Sequence, residues 1–316
     1  MITKKEIKIG ILGMTEGNGH PYSWSAMFNG YNKKYMDECP YPVIPQYLYK
    51  QPAETFGCDG AKITHICCTG YEGIERARHI ALASNIENVV ERPEDMIGQV
   101  DAVICATDVG SEHVERCRPF MDANIPMFID KPLVDNEEDL RTFVEWKRQG
   151  KKFISGSSMR YVKDLEPYHN NNYELGKLMY ICQPMPKIYE TYGIHALESI
   201  YPILKGGFKS IINTGTYERA ALRLTHENGC IVDIVQGKGM AGAGTLLIGS
   251  AGSKYIQTLD SYYAFKKQLD KFVHFLRTDE EPFPFEETIE LMKLVVLGLR
   301  SRDEGGVVKY LDEIKL

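Results

Sequence analysis

The stretch Lys8-Ile-Gly-Ile-Leu-Gly13 is a short apolar run that ends on glycine. Such a run reads as a strand buried on both faces that enters a tight turn, the opening unit of a parallel sheet. Beyond it lies Met14-Thr-Glu-Gly-Asn-Gly-His-Pro-Tyr-Ser-Trp24, in which Pro21 suits the first turn of a helix reaching about Asn29. A second strand reads from Lys62 to Cys68, with helical periodicity after it through Ile74, Ala77, Ile80 and Ala81. Asp101-Ala-Val-Ile-Cys-Ala106 is a third buried strand, and helix 111–123 with strand Pro126-Met-Phe-Ile-Asp130 extends the series. Strands alternating with helices at this spacing predict right-handed βαβ units and a doubly wound parallel sheet.

Asp135-Asn-Glu-Glu138 has the spacing of a capping box and opens a helix with Leu140, Phe143 and Val144 on its apolar face. Gly150 ends that helix, and Lys152-Phe-Ile-Ser-Gly156 reads as one more strand of the first sheet. Past residue 160 the pattern changes. Lys177 to Gln183, Ser210 to Asn213, Ala220 to Thr225, Cys230 to Gln236, Thr245 to Gly249 and Tyr255 to Leu259 read as strands with few helices separating them. A large, mainly antiparallel open sheet is expected there, followed by helices at roughly 261–277 and 285–300. The expected class is therefore α/β, with a doubly wound domain over 1–132 and an α+β domain over 133–316. Helix 137–149 and strand 152–156 are candidates to pack with the first domain.

Composition excludes several function classes. The 316 residues carry a net charge of −6, which gives no basic track for nucleic acid. No segment approaches the roughly 20 apolar residues of a membrane-spanning helix, and the charged start Met1-Ile-Thr-Lys-Lys-Glu-Ile-Lys8 lacks a secretory apolar core. A cytoplasmic protein with a small-molecule ligand is the expectation. The eight Cys are dispersed, and the adjacent pair Cys67-Cys68 would point to opposite faces of a strand, a poor geometry for a metal or a disulfide. No metal is expected. The 29 residues from Asn32 to Gly60, rich in Tyr and Pro, separate the first helix from the second strand where a few would suffice. A lid, a subunit contact and a packed surface loop are all open for that segment.

The turn after the first strand is an incomplete dinucleotide fingerprint. Gly13 stands at the first glycine position, but Thr15 occupies the second, and Gly17, Asn18 and Gly19 lie in a longer loop. Backbone N–H groups of such a loop would still serve a phosphate. The end of the second strand, Cys67-Cys68-Thr69-Gly70, lacks the acid that usually holds the adenosine ribose, so NAD and NADP are both open. Met127-Phe-Ile-Asp-Lys-Pro132 places an acid and an amine at the carboxyl edge of the sheet, where ligands of open α/β folds bind. A partly desolvated lysine beside a positive nicotinamide ring would have a depressed pKa, suited to exchanging a proton with a substrate hydroxyl. In Glu190-Thr-Tyr-Gly-Ile-His-Ala-Leu-Glu198, His195 and Glu198 share a helix face, and Gly193 permits a close approach by backbone or ligand. His195 is a candidate acid, base or hydroxyl orienter.

Taken in order, these segments resemble the Gfo/Idh/MocA oxidoreductases. Asp101-Ala-Val-Ile-Cys-Ala-Thr107, with His113 after it, is similar to the family's D-A-V-x-x-A-T strand and following histidine. Ile129-Asp-Lys-Pro-Leu133 resembles E-K-P-L, and Ser157-Ser-Met-Arg-Tyr161 a segment ending in Arg and an aromatic. Gly193-Ile-His-Ala-Leu-Glu198 resembles G-V-H-x-x-D, and Ser301-Arg-Asp-Glu-Gly-Gly-Val-Val308 the closing S-x-x-x-G-x-x-V. The resemblance implies a Rossmann domain followed by an α/β domain whose open sheet often builds a homodimer or homotetramer. It implies NAD or NADP held around Gly13, Thr15, Gly17, Asn18, Thr69, Thr107, Asp108, His113, Asp130 and Lys131. It implies catalysis by Lys131 and His195 on a sugar or polyol lined by Arg160, Tyr161 and Thr191. Asp130 stands where the family has Glu, and Thr191 where it commonly has an aspartate that pairs with the lysine. Glu190 or Glu198 in that role, Lys131 working with His195 alone, and weakened proton transfer are the alternatives. The implied reaction is hydride transfer at a carbinol carbon. NAD-dependent glycoside cleavage and a non-catalytic dinucleotide or sugar sensor are the competing readings.

Overall fold

The computed structural model describes residues 1–170, 174–241, 244–258 and 260–316. Two compact units emerge: Met1–Lys131 with Glu145–Ser155 and Phe265–Phe283, and Pro132–Val144 with Gly156–Ala264 and Pro284–Leu316.

The elements run β1 (Ile7–Gly13), α1 (His20–Asn29), α2 (Lys33–Met36), α3 (Val43–Leu48), β2 (Ala61–Cys68), α4 (Gly73–Ala83) and β3 (Asn88–Val89). They continue through β4 (Ala102–Cys105), α5 (His113–Asp122), β5 (Met127–Ile129), α6 (Glu137–Arg148) and β6 (Phe153–Ser155). The six strands pair in parallel, in the order β3-β2-β1-β4-β5-β6. That is the doubly wound dinucleotide-binding order, whose topological switch point lies between β1 and β4. Ile7, Ile9 and Ile11 of β1 are fully buried, and Val103 and Ile104 of β4 likewise, as strands covered on both faces require. Pro21 occupies the first turn of α1, where its missing N–H costs no helical bond.

The Asn32–Gly60 segment is packed rather than open. It contains α2 and α3, its Tyr47 hydroxyl donates to Ser23 Oγ at 2.5 Å, and Gly57 N donates to Met27 O at 2.8 Å. A Cβ on Gly19 would meet Ile44 Cδ1 at 2.5 Å and the Tyr41 ring at 2.8 Å, so only glycine lets this segment close on the start of α1. The α6 cap is one residue later than the sequence reading: Asn136, not Asp135, accepts Asp139 N at 2.9 Å.

The second unit adds β7 (Leu178–Pro186), α7 (Tyr189–Leu204), β8 (Phe208–Asn213), β9 (Arg219–His226), β10 (Ile231–Gly237), β11 (Gly244–Gly249) and β12 (Ser253–Gln257). The helices α8 (Ser261–Thr278) and α9 (Phe285–Asp303) and strand β13 (Lys309–Tyr310) complete the chain. The seven strands order as β12-β11-β7-β10-β9-β8-β13, antiparallel except for the β7–β10 pair. The expected mainly antiparallel sheet is present, and Leu259, the predicted end of its last strand, lies outside the described residues. Gly193 does not open the way to a ligand, because a Cβ there would strike the Tyr189 ring of the same helix at 2.3 Å.

Candidate active site

At the carboxyl edge of the first sheet, three chain segments converge on the switch point. The loop after β1 contributes Thr15 and Asn18, the loop after β4 contributes Thr107 and Asp108, and the end of β5 contributes Asp130 and Lys131. Asn18 ties the three together: its Nδ2 donates to Ala106 O at 3.2 Å and to Asp130 Oδ2 at 3.3 Å, while its Oδ1 accepts His20 N at 2.9 Å. Asp130 is buried. Its Oδ1 accepts Lys131 N at 2.7 Å, and its Oδ2 lies 2.6 Å from His20 Nδ1. His20 in turn stacks on Trp24 with ring centroids 4.4 Å apart. The side chain one methylene shorter than glutamate is thus fixed by a histidine and an asparagine of the irregular glycine loop.

Lys131 is 2% exposed, and its Nζ stands 3.5 Å from Asp108 Oδ2. The other oxygen of Asp108 accepts the Thr15 hydroxyl at 2.5 Å. A buried ammonium needs a counter-charge, because desolvation otherwise favours its neutral form. His113 is fully buried with Nε2 2.9 Å from Thr107 O, so it holds the β4–α5 loop in shape.

At the end of β2, Thr69 N donates to Gly13 O at 3.0 Å, and Thr69 Oγ1 accepts Arg116 Nη1 at 2.9 Å. A cavity of about 520 Å³ opens there, lined by Leu12, Thr69, Gly70, Pro93, Glu112 and Arg116. Its volume is that of a small-molecule site. Its wall carries the Thr69 hydroxyl and the Arg116 guanidinium, the latter paired with Glu112 at 2.7 Å, together with Glu94 and Glu115. Burial pushes the Cys67 and Cys68 thiols up to about 11 and about 12, so both stay protonated at neutral pH. Arg76 is engaged by Glu72 and by the Tyr22 hydroxyl at 3.0 Å.

In the second unit, His195 is buried on α7 with Nδ1 2.6 Å from Ser157 Oγ. Ser157 Oγ also accepts Met159 N at 3.0 Å, and the Tyr192 ring packs edge-on against the imidazole at 4.6 Å. Glu198 accepts Ser157 N at 3.2 Å and pairs with Arg160 Nε, and Arg160 Nη1 donates to Glu287 at 2.6 Å. Burial raises the Glu198 carboxyl, and the Arg160 guanidinium opposes that rise. Burial also pushes the Tyr161 phenol up. Glu190 pairs with Arg302, and Thr191 is half-buried on the first turn of α7. Glu190 and Glu198 therefore each have an arginine partner in this unit. Asp108, which follows the third buried strand, places a carboxylate against Lys131.

The first unit thus gathers Thr15, Asn18, Asp108, Asp130 and Lys131, and the second gathers Arg160 and His195. Sequence reasoning missed His20, Arg116 and Ser157, although the Gly-His-Pro at the helix start marks His20.

Residues 46–157 match the oxidoreductase family with an NAD-binding Rossmann fold named Gfo/Idh/MocA. Over that segment the chain is similar to this family. No curated protein matches the chain. Among solved structures, myo-inositol 2-dehydrogenase from Lactobacillus plantarum superposes with a TM-score of 0.76 at 15% identity, covering 97% of this chain and 99% of that one. Scyllo-inositol dehydrogenase from Lactobacillus casei, crystallised with NAD(H) and scyllo-inositol, gives 0.75 at 14% identity over 98% of this chain and 100% of that one. An oxidoreductase from Agrobacterium radiobacter in complex with NAD+, L-tartaric acid and magnesium gives 0.73 at 13% over 98% and 100%. At these identities the likeness shows a shared fold.

Proposed function

We propose that the protein is an NAD-dependent dehydrogenase that moves a hydride between nicotinamide and a carbinol carbon of a polyol, sugar or sugar derivative. The observation that carries this reading is the buried Lys131 amine, 3.5 Å from Asp108, at the carboxyl edge of a Gfo/Idh/MocA-type sheet. NAD, when bound, accepts or returns the hydride. Lys131 exchanges the proton of the substrate hydroxyl. Ser157 fixes the imidazole of His195 through Nδ1, which sets the ring angle for a role in orienting the hydroxyl. Thr69 and Arg116 hold the adenosine end.

The cavity beside Thr69 also carries Glu94, Glu112 and Glu115, which disfavours the dianionic 2′-phosphate of NADP and supports NAD. The inositol bound in the Lactobacillus casei enzyme motivates the choice of test substrates. Copies of the chain pair through the exposed face of the second sheet, where Ile231, Val235 and Tyr255 stand in solvent. Free, mostly buried thiols suit a reducing, cytoplasmic compartment. The experiment is absorbance at the nicotinamide band with NAD+ and myo-inositol, scyllo-inositol or sugar acids. Reduction that falls about a hundredfold in Lys131→Ala while dinucleotide binding persists supports the assignment. An unchanged rate in that variant would sink it.

A further inference from the structure

We infer that Asp108, oriented by Thr15, is the positioning carboxylate of Lys131, and that two departures of this chain from its family's pattern compensate one another. The inference rests on the dehydrogenase reading for its meaning. Thr191 supplies no charge where a partner aspartate would stand, and Glu190 and Glu198 pair with Arg302 and Arg160. Thr15 occupies the glycine loop at the second-glycine position, and its hydroxyl donates to Asp108 Oδ1 at 2.5 Å. That bond turns the second oxygen, Oδ2, toward Lys131 Nζ at 3.5 Å. Thr15 and Asp108 follow β1 and β4, the two strands that flank the switch point, and Lys131 follows β5, the next strand along. The loop residue that weakens the fingerprint therefore orients the charge that serves the lysine.

Two neighbours of Lys131 in the chain and the loop, Asp130 and His20, are bound to one another. Asp130 precedes Lys131 in the chain, but its carboxylate is taken by His20, Asn18 and the Lys131 backbone N–H. His20, on α1, is bound to Asp130. Asp108 Oδ2, at 3.5 Å, is a carboxylate oxygen that meets the amine.

The test uses the full-length protein with ε-13C lysine labelling, followed by NMR across pH without cofactor or substrate. The Lys131 signal is the one missing from Lys131→Arg. Asp108→Asn, a near-isosteric loss of charge, lowers the Lys131 midpoint by about one to three pH units. Thr15→Val, which frees the carboxylate to rotate, lowers it less, and Asp108→Glu restores part of the shift. Glu190→Gln leaves the midpoint in place. Folding of each variant is checked by its cooperative thermal transition. A midpoint unmoved by Asp108→Asn, or one moved instead by Glu190→Gln, overturns the assignment. Failure here with intact NAD+ binding rejects only this pairing, whereas failure to bind NAD+ with the shift present rejects the dehydrogenase reading alone.

Discussion

Ser157 Oγ lies 2.6 Å from Nδ1 of His195, a buried contact between residues 38 apart in the chain. Ser157 sits just past β6, and His195 is in the second turn of α7. A histidine used to orient a substrate oxygen needs one ring nitrogen held by the protein, because that bond fixes both tautomer and ring angle. Removing the hydroxyl with Ser157→Ala deletes a bond worth about 1 kcal/mol net. Turnover is expected to fall roughly five- to tenfold with dinucleotide affinity unchanged, and Ser157→Thr to recover most of it. Steady-state kinetics beside a binding titration separates the two effects, and a matched loss of affinity would count against the orienting role.

The His20–Asp130 contact predicts non-additive stability. Asp130 is 1% exposed, so His20→Ala leaves a buried carboxylate short of a partner, a loss of about 1–3 kcal/mol. Asp130→Asn in the same background should cost less than it does alone. A double-mutant cycle by chemical denaturation measures the coupling, and strict additivity would show that the pair acts independently.

A larger effect is expected at Arg160. Arg160 is 7% exposed, and its guanidinium is held by Glu198 and Glu287. Glu198→Gln removes the more buried anion, and breaking a buried pair in this way costs about 3–5 kcal/mol. Urea unfolding of the variant should show the lower midpoint, while Glu287→Gln, on the more open side, should cost less.

The pH dependence of stability has a named contributor in His169. Burial first, and then the charges of Lys205 and Arg160, lower its pKa from 6.5 to about 4. Above pH 6.5 the imidazole is neutral in both folded and unfolded chains. As pH falls from 6.5 toward 4, the unfolded chain takes up a proton that the folded chain does not, so stability is lost across that window. His169→Gln should flatten this acid limb in thermal melts between those values. An unaltered slope would remove His169 from the account.

The existence of β1, β2, β4 and β5 was readable because strands covered on both faces leave unbroken apolar runs ending in glycine or polar turns. The placement of Lys131 followed from the same logic, since its strand ends where the apolar run stops. Other features depend on contacts that no local pattern reports. His20 and Asp130 meet although 110 residues separate them, and Thr15 meets Asp108 across 93. The parallel β7–β10 pair likewise arises from long-range pairing inside an otherwise antiparallel sheet. The helices α2 and α3 escaped notice because segments of four and six residues are too short to show a 3.6-residue period.

The most direct test of the central claim is a calorimetric titration of the purified protein with NAD+ and, separately, NADP+. The site proposed around Gly13, Thr69 and Arg116 predicts saturable binding of NAD+ at one site per chain, tighter than that of NADP+. Heat from neither dinucleotide would contradict the account at its root.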